Sequence, residues 1–158
     1  MSNVKVSGLA ELQAVLDTLP ARIEQNIMRG ALRSGANVFK EEAKRLCPQR
    51  TGDLMDSIRV SVRARRGRVT ASIKAGNAKA WYAHLVEYGT ARHWIKPKDR
   101  KSLFLSDVYA ESINHPGAQK KPFMRPALDG KADAAVNQMA EYVRTRIPKE
   151  LDNLHIKK

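Results

Sequence analysis

The sequence predicts an α+β fold, in which a mostly antiparallel sheet of four to five strands packs against two long helices. Two observations carry this prediction. Apolar residues recur every three to four positions from Pro20 to Pro48, and again from about Pro126 to Pro148, as on the buried face of a helix. Between Ile58 and Ala75 they alternate with polar residues, as in half-buried strands. Segments of helical and of strand pattern that follow one another in blocks are typical of α+β domains.

The first helical pattern, at residues 9–19, follows a short strand predicted at residues 4–6 and ends at Pro20. The second is a helix of about seven turns that ends before Pro48. It contains Gly30 and Gly35, which we expect either to mark close packing of a sheet or of a neighbouring subunit, or to mark a kink. Residues 49–54 read as a turn, in which Thr51 or Asp53 would cap a short helical turn at residues 54–57.

A β-hairpin follows, because strict alternation on either side of Arg66-Gly67 predicts two strands joined by a tight turn. One face is apolar and the other carries five cations: Arg59, Arg63, Arg65, Arg68 and Lys74. Three interpretations stay open for the cationic face: a solvated surface, contact with an acidic protein patch, or contact with DNA phosphates. The hairpin has no aromatic residue for base stacking, which leaves sequence-independent contact with duplex DNA as the nucleic-acid option.

The apolar run from Trp81 to Tyr88 predicts a short helix ended by Gly89. Within it, Glu87 is expected to need a basic partner, for which the candidates are Arg50, Arg92 and Arg125. His84, one turn earlier, is interpreted as structural. Strands are then predicted at residues 92–95, 102–106 and 108–113, with Pro116-Gly117 as a turn. Pro126 suits the first turn of a final helix that ends at Pro148 and lies on the sheet beside the second helix.

Length and composition are those of one domain covering residues 1–158, with flexible ends at 1–7 and 149–158 and a loop-rich assembly region at 89–122. No apolar run approaches ~20 residues and the N-terminus lacks signal-peptide features, so no membrane contact is expected. Cys47 is the single cysteine, so the chain cannot form an intrachain disulfide. We expect Cys47 to be a small buried hydrophobic residue.

Charge is the strongest compositional signal. The chain has 29 Lys and Arg against 16 Asp and Glu, a formal net charge of +13. The excess is concentrated between Ser57 and Val86, where seven basic residues occur without an acidic one. Such a local field attracts polyanions.

Five segments, in this order and spacing, resemble the tail-completion (head–tail joining) family of tailed bacteriophages, similar to the lambdoid minor tail protein Z. They are PQRTGDLMDSI, WYAHLVEYGT, HWI, HPG and PFMRPAL, and the resemblance covers about residues 8–147. It implies a non-enzymatic virion component of the tail or neck, synthesised in the bacterial host cytoplasm. Within these motifs, structural roles are predicted for Thr51, Gly52, Glu87, Gly89, Pro116, Gly117, Pro122, Phe123, Arg125 and Pro126.

The resemblance also implies partners, namely neighbouring phage neck and tail proteins and further copies of this chain in a hexameric ring around the DNA channel. Non-specific contact with duplex DNA is a further expectation, whereas a small-molecule substrate is not. The four histidines, at positions 84, 93, 115 and 155, lack the short spacing of a metal site. No phosphate-binding glycine loop or paired carboxylates occur, so we expect no enzyme, cofactor or metal. The alternative is a small basic protein that binds DNA without sequence preference.

Overall fold

The computed structural model describes residues 10, 13, 21–98, 102–105 and 108–156. Its helices are α1 (Ala21–Leu46), α2 (Asp53–Asp56), α3 (Ala83–Tyr88) and α4 (Met124–Ile156). Its strands are β1 (Arg59–Arg65), β2 (Arg68–Lys74), β3 (His93–Ile95), β4 (Leu103–Leu105), β5 (Val108–Ala110) and β6 (Ile113–His115). The predicted strand at residues 4–6 and end segment at 1–7 lie outside the described residues, as does most of the predicted helix at 9–19.

The two long helices pack against each other in antiparallel orientation. Near the start of α1, Ile27 and Ala31 are buried with Val143 from the second half of α4. Near its end, Ala43 is buried with Ala127 from the first turn of α4. The helix pair therefore buries apolar side chains near both ends of α1.

The glycines of α1 lie where α4 comes closest. A Cβ added at Gly30 would overlap the phenol ring of Tyr142, and one at Gly35 would lie 2.6 Å from Met139 Cγ. Of the alternatives predicted for these glycines, close packing is therefore confirmed. The neighbour is the final helix, however, and neither a sheet nor another subunit.

The β1–β2 hairpin has the predicted strands and turn, with Arg59 paired to Lys74 and Arg65 paired to Arg68 across the ladder. Both strands of the hairpin pack against α1, and α4 packs against α1 as well. The prediction that α4 lies on the sheet beside α1 is therefore not confirmed. Helix α1 is instead the element to which the hairpin and α4 both attach.

The predicted sheet of four to five strands is wrong for the described residues, which form three separate two-stranded antiparallel sheets. β3 pairs with β6 and β4 pairs with β5, and an isolated bridge joins Thr90 to Ala118. Each of these four strands has three residues and pairs with another of the four. None of them pairs with β1 or β2. These four strands and the Thr90–Ala118 bridge lie in residues 90–98, 102–105 and 108–118, here called the arm.

The apolar cluster that contains Ala43 and Ala127 extends beyond the two long helices. It buries Cys47, Leu54, Ile58, Ala83 and Phe123, which come from five different segments. The final helix does not stop at Pro148 as predicted but continues to Ile156. Ile147 and Leu151, on either side of the proline, pack against the cluster formed by Ile27, Ala31 and Val143, so tertiary packing overrides the local cost of proline. None of the described helices is long and apolar enough to cross a membrane.

Candidate functional site

The positive charge of the hairpin is most concentrated at its turn. Arg63, Arg65, Arg66 and Arg68, here called the tip, line a concavity of about 490 Å³ together with Thr70. All four arginines are exposed. Arg66 was not among the predicted site residues, although its position in an Arg-Gly turn between two cationic strands was the signal for it.

The other two predicted cations lie at the open end of the hairpin, where Arg59 faces Lys74 across the ladder. Arg59 is exposed, yet its Nη1 donates hydrogen bonds to the carbonyls of Ser57 (3.1 Å) and Gly76 (2.6 Å). Ser57 precedes β1 and Gly76 follows β2, so the Arg59 side chain links the two chain segments at the open end of the hairpin. This structural role was not predicted from the sequence.

The tip arginines and Lys74 form no ion pair with any described residue. The ion pairs within the described ranges all lie on the long helices, such as those of Glu42 with Arg45 and Lys131, and of Arg146 with Glu150. The positive charge of the tip is therefore uncompensated within the described part of the fold. A surface of this kind favours an anionic partner.

The arm carries a second unusual surface, made of exposed aromatic side chains. Trp94, Phe104 and Tyr109 are 62%, 62% and 72% exposed. Phe104 and Tyr109 are cross-strand partners whose ring centroids lie 5.1 Å apart. Exposed large hydrophobic side chains also lie outside the arm, at Trp81, Tyr88 and Leu128. Neighbouring exposed apolar groups such as Phe104 and Tyr109 are typical of a protein interaction surface.

Glu87 joins α3 to the start of α4. Its carboxylate accepts hydrogen bonds from the backbone N–H groups of Phe123 (2.8 Å), Met124 (3.0 Å) and Arg125 (3.1 Å), at the start of α4. Burial acts to raise the pKa of this carboxyl, but the three donors and then the charge of Arg125 outweigh it, so the pKa lies below its usual value. The predicted ion pair with Arg50, Arg92 or Arg125 is thus replaced by backbone donors, one of which belongs to Arg125, and the side chain of Arg125 contributes only through its charge.

The motif glycines and prolines surround the base of the arm. Gly89 ends α3 and Gly117 follows Pro116, and both glycines have positive φ. The predicted turn at Pro116-Gly117 is wrong, because this dipeptide lies between β6 and the Thr90–Ala118 bridge and the antiparallel register continues across it. Gly117 N–H donates to His115 Nδ1 at 3.0 Å, and the Thr90–Ala118 bridge closes the base. Pro122 and the buried Phe123 then lead into α4, whose first turn contains Pro126.

The segment around Thr51 and Gly52 lies beside α3. These residues line a cavity of about 360 Å³ with Tyr82, Val86 and Lys121, so two of the sequence motifs meet there. The predicted side-chain cap of α2 is wrong, because Gly52 occupies the N-cap position with φ +84° and Thr51 Oγ1 donates to Asp53 Oδ2 instead. Because glycine has no side chain, the N-cap residue of α2 cannot accept a hydrogen bond from the helix N–H groups.

The described residues hold no group of three or more His, Cys, Asp or Glu that could bind a metal ion. His84 Nδ1 lies 3.1 Å from the carbonyl of Trp81, and the Glu87 carboxylate is engaged by α4. Cys47 is buried, as predicted, and burial raises the pKa of its thiol.

A comparison with protein-family models decides the family. The model described as "Bacteriophage HK97-gp10, putative tail-component" matches residues 10–89, half of the 158-residue chain. The chain belongs to this HK97-gp10-like family of phage tail components. Comparison with curated proteins and with solved structures gave no significant match.

In this HK97-gp10-like protein the matched region contains α1, α2, the basic hairpin and α3. It ends at Gly89, where the arm begins, so the arm and α4 lie beyond it. The resemblance predicted from the sequence is confirmed for the family. Its last three motifs, HWI, HPG and PFMRPAL, fall outside the match.

Proposed function

We propose that the chain completes the phage tail or joins it to the head at the neck, as a hexameric ring around the DNA channel. The family of tail components supports a place in the virion. The observation that carries the more specific role is the arm, which projects Trp94, Phe104 and Tyr109 into solvent. Such aromatic residues are enriched among the side chains that dominate the free energy of protein association.

The arm supplies the contact between neighbouring subunits in this proposal. An isolated two-stranded ribbon is only marginally stable in water, so packing against a second chain would stabilise it. A contact between the arm of one copy and a different surface of the next is heterologous, and contacts of that type close into rings when the rotation permits. Neck and tail proteins bordering the ring are its other partners.

The test is an image of the assembled particle together with an arm variant. Phe104→Ser with Tyr109→Ser removes the exposed aromatic pair, and Leu128→Ser, on an exposed position of α4, is the control. We expect both proteins to fold with similar melting temperatures, but only the arm variant to be missing from particles and to leave tails unjoined. Density for one copy per tail, or none at the neck or tail, contradicts the ring.

The second candidate function is that of a small basic protein that binds duplex DNA without sequence preference. The tip arginines favour it, because they line one concavity and form no ion pair with a described residue. Salt-dependent binding to random duplex without incorporation into particles would select this alternative. We also propose that the chain has no catalytic turnover. Metal-dependent DNA cleavage that is abolished by Glu87→Gln would contradict this.

A further inference from the structure

We propose that the tip of the β1–β2 hairpin is a binding site for the backbone phosphates of duplex DNA, formed by Arg63, Arg65, Arg66 and Arg68. This site is independent of whether the chain forms a ring. It differs from the cationic face predicted from the sequence, since it includes Arg66 and excludes Arg59, which the carbonyls of Ser57 and Gly76 engage.

The register of the hairpin brings the four guanidinium groups together. Arg65 is directly opposite Arg68, and Arg63 is opposite Thr70. Residues two apart on one strand face the same side at a spacing of roughly 6.7 Å, which places Arg63 beside the Arg65–Arg68 pair. The Thr70 hydroxyl borders the same concavity of about 490 Å³ and is a further potential hydrogen-bond donor.

Two features of the tip are unfavourable for the isolated fold. Like charges directly opposite each other on antiparallel strands repel, and no acidic residue of the described structure pairs with them. In addition, Arg66 has φ +51° and is the one non-glycine residue with positive φ among those described. Asn or Gly would suit this turn position better than Arg. An arginine in a strained turn among other arginines points to a role in binding an anion.

The chemistry of the tip selects duplex phosphates among anionic partners. Guanidinium groups bind phosphate oxygens through two parallel hydrogen bonds. The exposed large hydrophobic residues of the described structure all lie outside the hairpin, so the tip lacks the apolar centre expected of a protein interface. It also lacks the aromatic groups that stack on single-stranded bases. Contact with the DNA backbone needs neither of these.

The first test compares two pairs of exposed arginines in the full-length chain. Arg65→Gln with Arg68→Gln removes the opposed pair at the tip. Arg29→Gln with Arg33→Gln removes the same charge from exposed positions one turn apart on α1, where neither residue forms an ion pair with a described residue. Binding to a fluorescent random duplex is measured by anisotropy at several salt concentrations.

We expect the tip pair to weaken binding at low salt by about ten-fold or more. Each lost phosphate contact should make the slope of log K against log salt shallower by about 0.9, and the α1 pair should have a much smaller effect. Equal losses of affinity for the two pairs would show that only the net charge of the protein matters, and would contradict a binding site at the tip. So would absence of wild-type binding at low salt, or unchanged DNA binding combined with lost association with a virion protein.

The second test separates binding from folding. Arg66→Asn removes one cation and creates an Asn-Gly turn, which positive φ at both positions favours. We expect this variant to have a higher melting temperature and a weaker affinity for duplex DNA. Opposite signs cannot arise from partial unfolding. A variant that is more stable and binds DNA as tightly as the wild type overturns the role of Arg66.

Discussion

Glu87 and Pro126 together satisfy the N-terminus of α4. The carboxylate of Glu87 accepts the N–H groups of Phe123, Met124 and Arg125, and the next residue, Pro126, has no N–H to satisfy. A helix begins with four N–H groups that lack partners within the helix. Here one side chain from a different element and one proline account for all four, and the negative charge also lies at the positive end of the helix dipole.

Glu87→Gln is expected to lower the free energy of unfolding by about 1–2 kcal/mol at pH 7, because a neutral amide is a weaker acceptor than a carboxylate. Urea denaturation measures this difference. Glu111→Gln is the matched control, since Glu111 is an exposed acid on the arm. Equal effects of the two substitutions would contradict the role of Glu87 as the cap of α4.

The same contact predicts a dependence on pH. The pKa of Glu87 in the folded protein lies below its ordinary value, so the unfolded chain takes up this proton first as pH falls. The contribution of the carboxylate is therefore fully present above the unfolded-state pKa of about 4.3 and is lost as pH falls through the folded-state pKa. The stability difference between wild type and Glu87→Gln should shrink over that range, and a difference that stays constant down to pH 3 would argue against it.

Gly30→Ala is expected to destabilise the fold even though alanine favours helix. The new methyl group would overlap Tyr142, and overpacking typically costs about 1–3 kcal/mol, against a gain of roughly 0.5–1 kcal/mol in helix propensity. Gly130→Ala, on α4 with open space around it, should instead stabilise by about 0.5–1 kcal/mol. Thermal unfolding of both variants checks the opposite signs, and stabilisation by Gly30→Ala would contradict the close approach of α1 and α4.

Pro148→Ala is expected to raise the free energy of unfolding by about 1–3 kcal/mol, because a proline inside a helix removes a backbone hydrogen bond and crowds the preceding turn. Pro148 is exposed and lies within α4. Pro126→Ala is the control, as Pro126 occupies the first turn, where no such bond exists, and it should give no gain. A loss of stability in Pro148→Ala would show that the proline serves another purpose.

Cys47 should be protected from thiol reagents in the folded protein. It is 4% exposed, and burial raises the pKa of its thiol, which lowers the fraction of reactive thiolate. Reaction with an aromatic disulfide should be slow in buffer and rapid in urea, following the unfolding transition. Rapid stoichiometric reaction without urea would place the thiol at the surface.

Local pattern was sufficient to predict α1 and the first hairpin. Helical spacing bounded by Pro20 and Pro48 predicts the helix, and alternation around Arg66-Gly67 predicts the register, because both are decided by residues close in sequence. The same reasoning ended α4 at Pro148, since it could not include the packing of Ile147 and Leu151 against α1. It also merged the short strands of the arm into one sheet, because a three-residue strand does not specify its partner.

The sequence by itself determined the charge excess, the cationic face of the hairpin, the two long helices and the resemblance to phage tail components. All of these depend on composition or on residues a few positions apart. Only the tertiary structure decided the partner of Glu87, the neighbour of Gly30 and the concave tip, because each depends on groups brought together by folding. Glu87 meets Phe123 across 36 positions of sequence, and no local pattern states which backbone donors a carboxylate will meet at that distance.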